Sequence, residues 1–150
     1  MAARIRRPKA HAKLLERLCE GSGKPFNHFY EVLVFSAALG FARGQRIPFE
    51  ESDEPIRWEQ FEVIDGAVPL VDMLAVAAVS DDREILSAEG EEMRFQVFEE
   101  YANGGLETIA AAIEAQPAKP TREVVLDLVL AEQKSKSADL DFDSIVESLD

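Results

Sequence analysis

The stretch Phe26-Asn27-His28-Phe29-Tyr30-Glu31-Val32-Leu33-Val34-Phe35-Ser36-Ala37-Ala38-Leu39-Gly40-Phe41 decides how the rest of the chain must be arranged. Apart from Glu31 it carries no acid, lysine or arginine, and Phe29, Val32, Leu33, Leu39 and the Val34-Phe35 pair cover almost the whole circumference of a helix. A helix that is apolar on every side belongs inside a protein, so this one is expected to be the central buried helix. Ser36-Ala37-Ala38 offers a small-residue patch where another helix can approach closely. Gly44, just after Arg43, is the expected terminator, with Gly40 the earlier option.

Upstream, residues 9–20 are helical in pattern, with Leu14, Leu15, Leu18, Cys19 and His11 on one side and Lys9, Lys13 and Arg17 opposite. Glu16 and Glu20 interleave with those cations, which marks a solvated face with ion pairs rather than a phosphate-binding stripe. Before it, Arg4-Ile5-Arg6-Arg7-Pro8 is too short and too charged for a core element. It reads as a short edge strand or an extended basic arm, with Pro8 opening the helix. Gly21-Ser22-Gly23-Lys24-Pro25 breaks that helix. It fails as a phosphate loop because its glycines are misplaced and Pro25 stands where a Ser or Thr would hold magnesium, so a helix connector is expected.

Downstream, residues 44–60 contain Pro48, Pro55 and a reversal of charge, and read as an exposed loop. Trp58 and Phe61 then begin a short helix. Val68 to Val79 is nearly all apolar but too short to span a membrane, so it is expected to be a second buried helix. Residues 89–102 are amphipathic, and Asn103-Gly104-Gly105 is expected to stop that helix before an Ala-rich one resumes at 106–115. Thr121 caps a further helix that buries Val124, Val125, Leu128 and Val129. Lys134 to Ala138 reads as a polar linker. The acidic tail beyond it places Phe142, Ile145, Val146 and Leu149 on one helical face, the spacing of a partner-binding helix that docks in a groove. Whether that groove lies on the same chain or on a partner stays open at this level. The expected fold class is therefore mainly α: a single compact multi-helix bundle of six or seven helices with a central buried helix and room for one short N-terminal strand. Its parts are an arm at 1–8, a helical domain at 9–133, and a linker and tail at 134–150.

Composition narrows the chemistry. With 150 residues, 47% of them hydrophobic and 30% charged, the chain suits one domain with one core and excludes wholesale disorder. No apolar run reaches the roughly 18–20 residues of a membrane span, and no apolar stretch follows the basic N-terminus, so a cytoplasmic protein with no membrane contact is expected. Cys19 is the single cysteine, which removes intrachain disulfides and Cys-rich metal sites. The net charge of −13 is uneven, +6 over residues 1–46 and −19 over residues 47–150. A basic end can meet phosphates while an acidic body repels them.

Catalytic candidates are sparse. His11 falls on an apolar face, where a packed, hydrogen-bonded histidine is expected rather than a general base. His28 opens the central helix, and Cys19 faces inward, where a thiol is normally inert. Asp139, Asp141 and Asp143 imitate the start of a calcium loop, but Ser144 stands where the sharp turn needs Gly. Glu91, Glu92, Glu99 and Glu100 lack the accompanying Glu-x-x-His of a bundle di-metal site. No catalytic residue, metal or cofactor is therefore expected. The nucleic-acid-binding candidates are Arg4, Arg6, Arg7 and Lys9 in the arm, with Arg43 and Arg46 after the central helix. A basic strand followed by two helices is similar to the ribbon–helix–helix arrangement, but only over the first 44 residues.

Four strings together carry a family resemblance. They are Arg4-Ile5-Arg6-Arg7-Pro8, the run from Tyr30 to Gly44, Pro55-Ile56-Arg57-Trp58-Glu59-Gln60-Phe61, and Phe98-Glu99-Glu100-Tyr101-Ala102-Asn103-Gly104-Gly105-Leu106-Glu107. Over about residues 4–130 the chain resembles the Dnd-system-associated proteins, the fourth of the DNA-phosphorothioation-associated accessory families. The resemblance implies a bacterial accessory or regulatory factor of a system that places sulfur in the DNA backbone and uses the mark in modification, restriction and defence. It implies components of that system as partners and brings no catalytic residue with it. Two mechanisms are then open. In one, the basic arm with Arg43 and Arg46 contacts the DNA backbone, in a homodimer whose acidic bodies face away. In the other, the acidic body docks on a basic DNA-handling partner and never touches DNA.

Overall fold

The computed structural model describes residues 3–139. Strand β1 (Arg4–Pro8) passes through a 3-10 turn at Lys9–His11 into helix α1 (Ala12–Leu18), and helix α2 (Phe29–Ala42) follows. Strand β2 (Ser52–Arg57) then runs directly into α3 (Trp58–Glu62), followed by α4 (Ala67–Ala78). A 3-10 turn at Ala88–Gly90 opens the long helix α5 (Glu91–Ala115), and α6 (Thr121–Asp139) closes the described chain. The class is mainly α, as expected, with one short two-stranded ribbon.

Helix α2 is central, but it shares the centre with α5, which packs along it and also meets α4, α6 and β1. At the start of α2 one acceptor, Glu31 Oε1, takes two donors, the N–H groups of Asn27 and His28, at 3.1 and 2.9 Å. At its other end Gly44 takes φ +65°, the left-handed conformation that ends a helix without a Cβ penalty. Between the helices lie Val32, Leu33, Ala37, Phe98, Ala102, Leu106 and Ile109, all 1% exposed or less. Each large side chain so buried is worth about 1.5–3 kcal/mol. An aromatic chain joins the remaining elements: Tyr30 meets Phe61 at 6.1 Å, Phe61 meets Phe98 edge-on at 5.7 Å, and Trp58 meets Phe95 at 4.8 Å.

Asn103-Gly104-Gly105 does not end a helix. Helix α5 runs through it unbroken, because these glycines serve a close approach rather than a cap. A Cβ on Gly105 would stand 2.5 Å from the Ser36 carbonyl carbon, and one on Gly104 2.7 Å from the Gln45 carbonyl carbon. From the other side, a Cβ on Gly40 would meet the Gly105 nitrogen at 3.0 Å. The small-residue patch of α2 is thus the seat of α5.

Three further expectations change. Residues 52–57, read as loop, form β2, antiparallel to β1 with Arg4 opposite Arg57 and Ile5 opposite Ile56. The register shifts between Ile5 and Arg7, so β2 contains a bulge that accommodates Pro55, which has no N–H for a ladder. Residues 134–139 continue α6 instead of forming a linker. Finally, α4 is not buried all round: Val71, Leu74 and Ala75 are covered, but Met73 is 48% and Val76 42% exposed.

Candidate functional site

The six basic candidates divide into two groups. The N–H of Arg6 donates to Glu99 Oε2 at 2.6 Å, and its Nε donates to Glu99 Oε1 at 3.0 Å. Arg46 Nε donates to Glu100 Oε1 at 2.7 Å, and Arg43 pairs with Glu132 on α6. The Glu99 and Glu100 side chains are only 5% and 9% exposed. Buried carboxylates of this kind need cationic partners, since an unpaired charge out of water is costly. Burial pushes the Glu99 carboxyl above the ordinary glutamate value, while the Arg6 N–H and guanidinium pull it down. Arg6 of β1 and the two arginines after α2 therefore bolt β1 and the segment after α2 onto α5 and α6.

The second group faces outward. Arg4 and Lys9 are exposed, and Arg7 is half-buried, with Nε donating to the Glu54 carbonyl at 2.7 Å and its guanidinium 5.0 Å from the Phe29 ring centre. Register adds a residue that sequence reading missed: Arg57, exposed and directly opposite Arg4. Only the pairing of β2 with β1 reveals it. Like charges opposite one another weaken a ribbon. Arg4, Arg7, Arg57 and Gln60 border a shallow cleft that also contains Glu54.

Within α5, each residue from Tyr101 to Glu107 is buried or contacts another part of the fold. Tyr101 stacks edge-on against Phe41 at 5.6 Å. Asn103 Nδ2 donates to the Ile47 carbonyl at 3.0 Å, and Ile47 N donates to the Glu100 carbonyl at 3.0 Å, so the segment after α2 is strapped to α5. Glu107 Oε1 lies 3.0 Å from His11 Nε2. His11 is 7% exposed and hydrogen-bonded, as its place on the apolar face implied. His28 is exposed and stacked on Tyr30 at 4.9 Å. Cys19 has its thiol pushed above the ordinary value, chiefly by burial and also by Glu31.

Among the described residues, no group of three or more His, Cys, Asp or Glu side chains is placed to hold a metal. No helix there is long and apolar enough to cross a membrane. An apolar groove of about 250 Å³ lies between α2 and α6, lined by Phe35, Ala38, Leu39, Ala42, Leu128 and Val129. The tail candidates Phe142, Ile145, Val146 and Leu149 lie outside the described residues.

No curated relative and no solved structure matches this chain. The family described as DNA sulphur modification system-associated protein 4 matches residues 4–146, which takes in the four strings and reaches into the acidic tail. With nearly the whole chain covered, the protein belongs to the DNA sulphur modification system-associated protein 4 family.

Proposed function

We propose that this chain is a non-catalytic accessory module of a DNA sulphur modification system that acts through protein contacts, docking as an acidic body on a basic DNA-handling component. The observation that carries this reading is the engagement of Arg6, Arg43 and Arg46 by Glu99, Glu132 and Glu100. Three of the six cations that the sequence offered to phosphates are occupied within the fold, and the remainder sit on a chain of net charge −13. Phosphate contacts supply most of the affinity of non-specific DNA binding, so a surface this acidic is poorly matched to DNA.

The test is a mobility shift with ordinary and phosphorothioate-containing duplexes across salt concentration. This reading expects no retention of either duplex near physiological salt. Retention that falls steeply with salt, and is lost when Arg4, Arg7 and Lys9 become Ala together, would overturn it. One observation favours the rival reading of direct DNA contact: the exposed Arg4–Arg57 pair on the ribbon. Arg57→Ala discriminates, since only the rival expects it to weaken DNA binding.

A further inference from the structure

Helix α4 is unusual for a surface helix. Its twelve residues contain one charged side chain, Asp72. The stripe of Ala67, Val71, Leu74 and Ala75 is buried, yet the opposite stripe of Pro69, Met73 and Val76 is apolar as well and faces water. A surface helix normally places polar residues there. The neighbouring segments extend this face. Val63, at the end of α3, is 76% exposed, and Leu86, in the turn after α4, is 54% exposed.

Arg94 holds that turn in place. Its Nη1 donates to the carbonyls of Ile85 and Ser87 at 2.7 and 2.6 Å, and its Nε lies 3.7 Å from Asp72 Oδ1. The flanking residues of Leu86 and the single charge of α4 are thus gathered on one guanidinium. Gly90 allows the same turn to lie against the start of α5, since a Cβ there would stand 2.7 Å from the Ile85 carbonyl carbon. Leu86 is therefore presented on a fixed platform beside α4.

Charge identifies the occupant. Residues 62–94 hold nine acids against two arginines, Arg83 and Arg94, so this segment carries −7 of the −13. All nine acids except half-buried Asp72 are exposed. A second copy meeting this face about a two-fold axis would set acid against acid. An apolar centre with an acidic border instead complements an apolar protein surface bordered by lysine and arginine.

We propose that the outward face of α4, together with Val63 and Leu86, is a docking surface for a basic-bordered apolar surface of another protein of the system. This rests on the protein-interaction reading above and names the surface that would perform it. The test is co-expression of the tagged full chain with the other protein components of its DNA sulphur modification system. Recovery of each component is then measured for the parent, the double variant Met73→Asp/Val76→Asp, and Leu86→Lys. Leu126→Asp on α6, at a residue 53% exposed and outside the patch, is the control. Far-UV circular dichroism and melting temperature establish that each variant is folded; Leu86→Lys leaves α4 itself untouched should the double variant fail to fold.

Recovery of a component by the parent and the control, with a fall of about tenfold or more in the folded patch variants, supports the proposal. Undiminished recovery by those variants overturns the surface while leaving the protein-interaction reading intact. Recovery of no component by the parent overturns both. Light scattering that shows a dimer of the parent, dissociated by the α4 substitutions, overturns the proposal in favour of a second copy.

Discussion

Gly105→Ala isolates the contact on which the fold turns. In an exposed helix interior, replacing glycine by alanine stabilises by about 1 kcal/mol, because the backbone loses less entropy on folding. Here the new methyl carbon would stand 2.5 Å from the carbonyl carbon of Ser36 and 2.8 Å from its Cα. Carbon–carbon contacts relax at about 3.5–4.0 Å, so the main chains of α2 and α5 would have to separate by about 1 Å. Overpacking costs about 1–3 kcal/mol where side chains can repack. Two helix backbones have no rotamer to change, so the cost lies at or above the top of that range. After the propensity gain, a net loss of about 2–4 kcal/mol is expected, which lowers the melting temperature by roughly 5–15 °C for a chain of this size. Urea unfolding followed by circular dichroism measures it, with Ala111→Gly as the comparison. Ala111 is exposed on the same helix and should lose only the propensity difference of about 1 kcal/mol. If Gly105→Ala proves as stable as the parent or more so, the close approach of α2 and α5 is refuted.

Arg6→Ala should destabilise by about 2 kcal/mol, because it strands the buried Glu99 carboxylate; the figure is held down by the 38% exposure of the Arg6 side chain. A melting temperature equal to the parent's would contradict that role. Glu99→Gln tests the raised carboxyl through pH. A folded-state value above the unfolded one means that the folded chain keeps a proton the unfolded chain has released, so stability falls as pH rises from the ordinary glutamate value through the folded one. The non-titrating variant should therefore gain on the parent across that window, and parallel stability curves would refute the shift. Ser36 Oγ is buried without a hydrogen-bond partner among the described residues. Ser36→Ala should accordingly be neutral or stabilising by about 1 kcal/mol, whereas a loss of that size in thermal unfolding would reveal a partner for the hydroxyl.

The candidate site was legible in part. Sequence alone placed Arg4, Arg6, Arg7, Lys9, Arg43 and Arg46 in two basic clusters, but charge counts cannot say which of them meets a glutamate. Glu99 and Glu100 are 93 and 54 residues from Arg6 and Arg46 along the chain, and no local pattern links them. Arg57 was hidden for the same reason, since its position opposite Arg4 exists only once the ribbon forms. The apolar run of α4 was plain in the sequence, yet its exposed face was not. Periodicity shows that a helix is apolar on both sides, but which sides are covered depends on the elements packed around it.

What the chain settled locally is what local physics controls. Helix-forming runs, the left-handed stop at Gly44, the apolar setting of His11 and the small-residue seat at Ser36-Ala37-Ala38 all depend on neighbours within a turn or two. The tertiary structure decided the rest: that Gly104 and Gly105 serve contact rather than termination, that residues 52–57 pair as a strand, and that Arg6 of β1 and the two arginines after α2 are bolts. A glycine tolerates both the left-handed turn and the closest helix crossing, and an arginine suits both a phosphate and a buried carboxylate. Only the partner brought up by the fold selects between those uses.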